Sequence, residues 1–242
     1  MEPAQPGPLH DAAHPGADTP PAPGPTHGAL DLPDTLTVVD HPLAGHLLAG
    51  LRDERTEPER FRYLAERLST VLVLEATRNL PTRPATVTTP MSPADVELLD
   101  GNIIAVPILR AGLGLLTAVT RLLPDVQVGY VGLERDEETL QPVSYYLKVP
   151  DPAGRPVLVL DPMLATGGSA SFAADLLVPR GARDLTRVCG VAAPEGVRRL
   201  HRDHPQVRVV TAGLDEKLND VGYIVPGLGD FGDRLFGTFD ES

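Results

Sequence analysis

Tryptophan is absent from the 242 residues, aromatic side chains make up 4%, and Cys189 is the single cysteine. One cysteine excludes an intramolecular disulfide and a cysteine-based metal cluster. In the apolar setting RVCGVAA, Cys189 is expected to be a buried strand residue. No apolar run approaches the ~20 residues that a membrane-spanning helix requires. The chain starts without a basic stretch followed by an apolar one, so no secretory signal is read and a cytoplasmic location is expected. Basic residues are also few: 21 Lys and Arg against 33 Asp and Glu give a formal charge of −12. Nucleic-acid binding rests on neutralising phosphates, so this balance disfavours DNA or RNA as the main partner. It leaves room for a local basic pocket that takes a small phosphorylated molecule.

Proline and glycine, by contrast, are plentiful, and their placement divides the chain. Residues 1–33 are dominated by Pro, Ala, Gly and Asp, with His10, His14 and His27 among them. Such a segment holds too little apolar surface to offset the entropy of ordering. It is expected to be a disordered tail before one domain over residues 34–242, and the histidine spacing fits no helical metal site. Asp40 is placed as the N-cap of a first helix with Pro42 in its first turn and Leu43, Leu47, Leu48 and Leu51 on one face. A second helix over 57–76 has Phe61, Leu64, Ala65, Leu68, Val71 and Leu72 as its buried side. Glu75 and Arg78 look like a solvated helix end. Residues 80–93, rich in Thr and Pro, read as an extended arm or hairpin.

From residue 102 the pattern becomes strand, turn, helix. NIIAVPIL runs into Arg110, Ala111 and Gly112 and then into LLTAVTRLL. The planar fork of Arg110 suits a phosphate or diphosphate, although a strand-end arginine also serves as an ion-pair partner. Strands are expected over 126–133 and 143–149. Arg135 lies in the acidic connection between them, and it gains a role only if that segment folds over a site as a lid. Residues 187–193, 194–204 and 207–213 read strand, helix, strand. The alternation predicts an α/β fold with a mostly parallel, doubly wound sheet flanked by helices.

Residues 157–171, VLVLDPMLATGGSAS, carry the densest chemical signal. Four apolar residues suit a strand buried on both faces, and the turn after it lies at the carboxyl end, where open α/β sheets bind ligands. Gly167 and Gly168 let the backbone approach closely, while Thr166, Ser169 and a helix N-terminus offer donors to an anion. A nucleotide-binding P-loop would need a lysine here, and there is none. Asp161 would repel a phosphate, so it faces sugar hydroxyls or a metal ion. The C-terminal GYIVPGLGDFGDR, with Gly222, Pro226, Gly227, Gly229 and Gly232, excludes a regular helix and reads as an ordered loop. Its amides and carbonyls can read the edge of a small planar molecule.

These segments resemble the uracil phosphoribosyltransferase family of type I phosphoribosyltransferases. The resemblance covers residues 38–238 and is carried by HPL at 41–43, PILRAGLG at 107–114 and ERDEETLQPV at 134–143. It continues through DPMLATGGS at 161–169, VAAPEG at 191–196 and GYIVPGLGDFGDRLFGT at 222–238. It implies transfer of the phosphoribosyl group of phosphoribosyl diphosphate (PRPP) to uracil, giving UMP and diphosphate, in pyrimidine salvage. By position, Asp161, Pro162, Met163, Leu164, Ala165, Thr166, Gly167, Gly168 and Ser169 would hold the ribose 5-phosphate. Arg110 and Arg135 would contact the diphosphate. Ile224, Gly229, Asp230 and Phe231 would form the uracil site, with Asp230 also near PRPP. Asp230, Arg110 and Arg135 are the candidate catalytic groups; whether Asp230 acts as a base or the neighbouring backbone only orients uracil stays open. Magnesium is implied with PRPP, no metal ligand is assigned, GTP is an effector of some relatives, and a homodimer or higher even assembly is implied. Many members carry Ala where this chain has Phe231, which alters the pocket if that side chain faces uracil. The arm around 82–93 is shorter than in some members. An RNA-binding sensor of the same fold and a silent partner domain of the kind fused to nucleoside kinases are the rival readings.

Overall fold

The computed structural model describes residues 32–123, 125–135, 142–182 and 184–238, the side chains of residues 134, 135, 142 and 143 excepted. Most of the expected tail over 1–33 and of the lid segment over 134–141 therefore lies outside the described residues.

Thirteen strands and six α-helices are described. In chain order they are β1 (Leu36–Val38), α1 (Pro42–Arg52), α2 (Pro58–Ala76), β2 (Thr82–Thr88), β3 (Pro93–Leu99), β4 (Ile104–Leu109) and α3 (Leu113–Leu122). Then come β5 (Gln127–Val128), β6 (Tyr130–Arg135), β7 (Pro142–Lys148), β8 (Pro156–Leu160), β9 (Met163–Leu164), α4 (Gly168–Leu177) and β10 (Asp184–Ala192). The chain closes with α5 (Pro194–Asp203), β11 (Arg208–Leu214), β12 (Lys217–Leu218), β13 (Ile224–Val225) and α6 (Phe231–Phe236).

The main sheet runs β1-β11-β10-β8-β4-β6-β7. All neighbours are parallel except the edge pair β6 and β7. Alternate residues feed two apolar layers, as the period of a strand dictates. Ala105, Leu158 and Leu160 face the layer built with α1, α2, α3 and α6. Ile104, Val106, Val157 and Val159 face the layer built with α4 and α5. From β4 the chain winds outward to β6, then returns through β8 to the other flank of β4 and on to β10 and β11. The reversal leaves a crevice at the carboxyl ends of β4 and β8, where such sheets bind ligands.

The doubly wound expectation is met, with local corrections. His41, not Asp40, caps α1: its Nδ1 accepts the Leu43 amide at 3.1 Å. Ala44 takes the buried place expected of Leu43, which is exposed. The strand expected over 126–133 is interrupted at Gly129, splitting β5 from β6. A Cβ at Gly129 would lie 2.8 Å from the Val149 backbone, so the chain crosses there in close contact. The arm is an antiparallel hairpin, β2 with β3, longer than the segment expected. Cys189 is buried as expected, and burial pushes its thiol up to about 11.

Candidate active site

A cavity of about 410 Å³ opens at the crevice between the ends of β4 and β8. Its floor is the turn after β8. Asp161, Met163, Leu164, Ala165, Thr166, Gly167, Gly168 and Ser169 all line it. Gly167 adopts φ +78°, a left-handed conformation that costs other residues more, and it turns the chain directly into α4. The first turn of α4, where helix amides lack intrahelical partners, therefore borders the cavity, and no acidic side chain stands in that turn. The Thr166 hydroxyl accepts the Gly168 amide at 3.4 Å. Pro162 does not line the cavity; its carbonyl accepts from the amides of Gly190 and Val191 and ties the turn to β10.

A neighbouring glycine supports this turn. In α5, a Cβ at Gly196 would lie 2.3 Å from the Ala165 carbonyl oxygen. Only glycine lets α5 pack that closely under the turn after β8, which is what the VAAPEG segment supplies.

The opposite wall comes from the C-terminal segment. Tyr223, Ile224, Gly229, Asp230, Phe231 and Gly232 line it. Apart from the two-residue strand β13 the segment is an ordered loop through residue 229, but a regular helix, α6, begins inside it, against expectation. Asp230 explains the change: its Oδ1 accepts the Asp233 amide at 2.9 Å and caps the helix. The Phe231 side chain turns away from the cavity into the core, 3% exposed and edge-to-face with Phe61 at 5.0 Å. Its backbone is what the wall presents.

Two arginines outside the sequence expectations hold this loop. Arg52, at the end of α1, forms a two-pronged pair with Asp215 at 2.5 and 2.8 Å. Asp215 also accepts the Gly227 amide at 2.8 Å, and Arg52 donates to the Gly227 carbonyl at 2.7 Å. Arg234 donates to the carbonyls of Leu228 and Asp53 and stacks over Phe61 at 4.5 Å. Only their long range in sequence, 163 residues between Arg52 and Asp215, hides the first pair from a local reading.

The acidic floor also has an unforeseen partner. Arg187 of β10 reaches the Asp161 carboxylate at 2.6 Å. Arg110 is placed differently from the other candidates. It is exposed beside the cavity, its guanidinium 3.6 Å from Asp233 and 5.7 Å from the Phe236 ring. Arg135 ends β6, paired with Pro142 of β7, and its side chain is outside the described residues.

A metal would find no cluster of three or more acidic, histidine or cysteine side chains among the described residues. Asp161 and Asp230 are the two carboxylates on the cavity wall. Such a sparse donor set fits magnesium, which keeps most of its waters and takes one or two carboxylates with substrate phosphates.

Comparisons with known proteins agree with this geometry. The family model described as uracil phosphoribosyltransferase matches residues 38–238. The uracil phosphoribosyltransferase of Thermus thermophilus is 53% identical over 205 residues, covering 84% of this chain and 99% of that protein. That of Kineococcus radiotolerans is 54% identical over 208 residues, with 84% and 99% covered. Among solved structures, the AQ2163 protein from Aquifex aeolicus superposes with a TM-score of 0.80 at 36% identity, over 85% of this chain and 99% of that one. With one cavity between the turn after β8 and the C-terminal segment, and with this likeness along the chain, the protein belongs to the uracil phosphoribosyltransferase family.

Proposed function

We propose that the cavity binds PRPP and uracil and joins them into UMP with release of diphosphate. The observation that carries this reading is the shape of one cavity: a helix-terminated phosphate turn at one end and the backbone of residues 229–231 at the other. The ribose 5-phosphate sits on the amides and hydroxyls from Ala165 to Ser169, where the α4 terminus favours an anion. Asp161 faces the ribose hydroxyls. The backbone of Gly229 and Phe231, with Ile224 against the ring, orients the edge of uracil.

In the reaction the bond from the anomeric carbon to the diphosphate oxygen breaks, and the bond to the uracil ring nitrogen forms. The nitrogen's proton leaves to solvent or to Asp230. Positive charge develops on the sugar, so rate comes from holding nucleophile and leaving group in line and stabilising the departing diphosphate. Arg110 and Arg135 serve the second need. Arg110 stands beside the cavity rather than on its wall, so it reaches the diphosphate by giving up its 3.6 Å approach to Asp233. Asp161 and Asp230 would hold magnesium, which neutralises phosphate charge when bound.

The same reading extends to GTP as an effector and to an even homo-oligomer, checked by initial rates with and without GTP and by light scattering. Nothing favours the RNA-binding rival, and the charge of −12 opposes it. No described helix is long and apolar enough to cross a membrane. The functional test is base selectivity. Purified protein with PRPP and magnesium chloride should convert labelled uracil, while cytosine, hypoxanthine and orotate react at least a hundredfold more slowly. Equal use of hypoxanthine would sink the uracil assignment.

A further inference from the structure

Arg187 is a charged residue at a strand position where its neighbours demand an apolar one. Leu185 and Cys189, two residues either side on the same face of β10, belong to the apolar layer under α4 and α5. Arg187 is itself 1% exposed. The register sets it beside Val159 of β8, so its side chain runs along the sheet surface towards the strand end. There Nη2 donates to Asp161 Oδ2 at 2.6 Å and to the Met163 carbonyl at 3.2 Å. Among the described residues, Nε and Nη1 are buried and find no acceptor.

Such an arrangement is a poor way to stabilise a fold. A buried ion pair does little better than apolar side chains of the same volume, and unpartnered buried donors add a cost. An aliphatic residue at 187 would fill the layer without either penalty. What it would not do is act on Asp161, which lines the cavity with a side chain that keeps 13% exposure. Asp161 shares this cavity with a turn built for a phosphate, and an unneutralised carboxylate there repels any anion that binds.

We propose that Arg187 is a positioning residue for PRPP: it fixes the Asp161 carboxylate from behind and neutralises it. The acid then meets the ribose hydroxyls without repelling the phosphates on either side of the sugar. The inference rests on the reading of the cavity as a PRPP site. A purely structural Arg187 would affect folding and leave the two substrates equally served; a positioning one affects PRPP alone.

The test measures PRPP affinity by calorimetry in magnesium chloride without uracil, and KM for each substrate, in wild type and variants. Arg187→Met is expected to weaken PRPP binding at least tenfold and to change the uracil KM less than twofold, with Arg187→Lys recovering PRPP binding to within threefold of wild type. Because the effect runs through Asp161, adding Arg187→Met to Asp161→Asn should change PRPP affinity less than twofold further. That double variant removes both buried charges, so it and Arg187→Lys decide the matter if Arg187→Met alone does not fold. A folded Arg187→Met that binds PRPP within twofold of wild type overturns the proposal. So does a tenfold loss that persists undiminished in the Asp161→Asn background. Wild type that binds PRPP tightly but forms no UMP would contradict the functional reading and leave the role of Arg187 intact.

Discussion

Asp215 shows how one side chain serves both fold and site. It is buried, and it binds Arg52 and the Gly227 amide together, so the loop that carries Ile224, Gly229 and Asp230 hangs from it. Asp215→Ala leaves the Gly227 amide without its acceptor and the Arg52 guanidinium with only the Gly227 carbonyl, at a cost of about 3 kcal/mol. Steady-state kinetics should show the uracil KM raised at least tenfold and the PRPP KM within threefold, because the Asp215 side chain bonds Arg52 and Gly227 rather than the turn after β8. Phe231 works in the opposite sense. Its ring fills the core between Phe61 and Gly114. Phe231→Ala should lower stability by ~3–5 kcal/mol in denaturant unfolding. The uracil KM should move less than threefold, since the wall presents the backbone of residue 231. A large change in uracil KM with little loss of stability would place the ring in the pocket instead.

At the scale of elements, the site is a joint between α4 and α5 at one end and a tethered loop at the other. Gly196 is the contact point of α5 with the Ala165 carbonyl. Gly196→Ala forces backbone against backbone, an overpacking worth ~1–3 kcal/mol. It should also displace the turn after β8, so PRPP KM rises more than uracil KM; equal effects on both would show that the turn does not depend on α5. Elements of this kind were largely legible in the sequence. Strands β4 and β8 are continuous apolar runs, and the turn after β8 is bounded by an acid and two glycines, so both can be read locally. The α6 helix was not legible, because glycine content argued against it while one cap, Asp230, decided for it. Asp40 and His41 compete for one cap position, and only the φ and ψ of the chain choose His41. The pairs Arg52 with Asp215 and Arg187 with Asp161 are set by strand register and helix packing, which no local pattern contains. Arg110 was legible as a cation at a strand end, but not in its direction, towards α6.

For the whole molecule, the proposed function asks an acidic chain to bind a polyanion, so affinity has to come from local donors rather than from the overall field. In the proposed function the turn at α4 and the arginines near the cavity supply them. Binding to the folded state alone stabilises it in proportion to the logarithm of ligand excess, about 2.7 kcal/mol at a hundredfold excess over Kd. For a domain of this size that corresponds to roughly 5–10 °C in Tm. Thermal melts with PRPP and magnesium chloride should show that rise, and uracil alone should give a smaller one. No shift with PRPP would mean that the turn does not hold the sugar phosphate.

In the proposed function one cavity brings the sugar phosphate and the pyrimidine together for transfer. The most direct measurement follows both products at once, with purified protein, PRPP, magnesium chloride and uracil. UMP and diphosphate should appear in equal amounts, and neither should appear when uracil or protein is left out. Folded protein that yields no UMP, or that releases diphosphate without uracil, would contradict it.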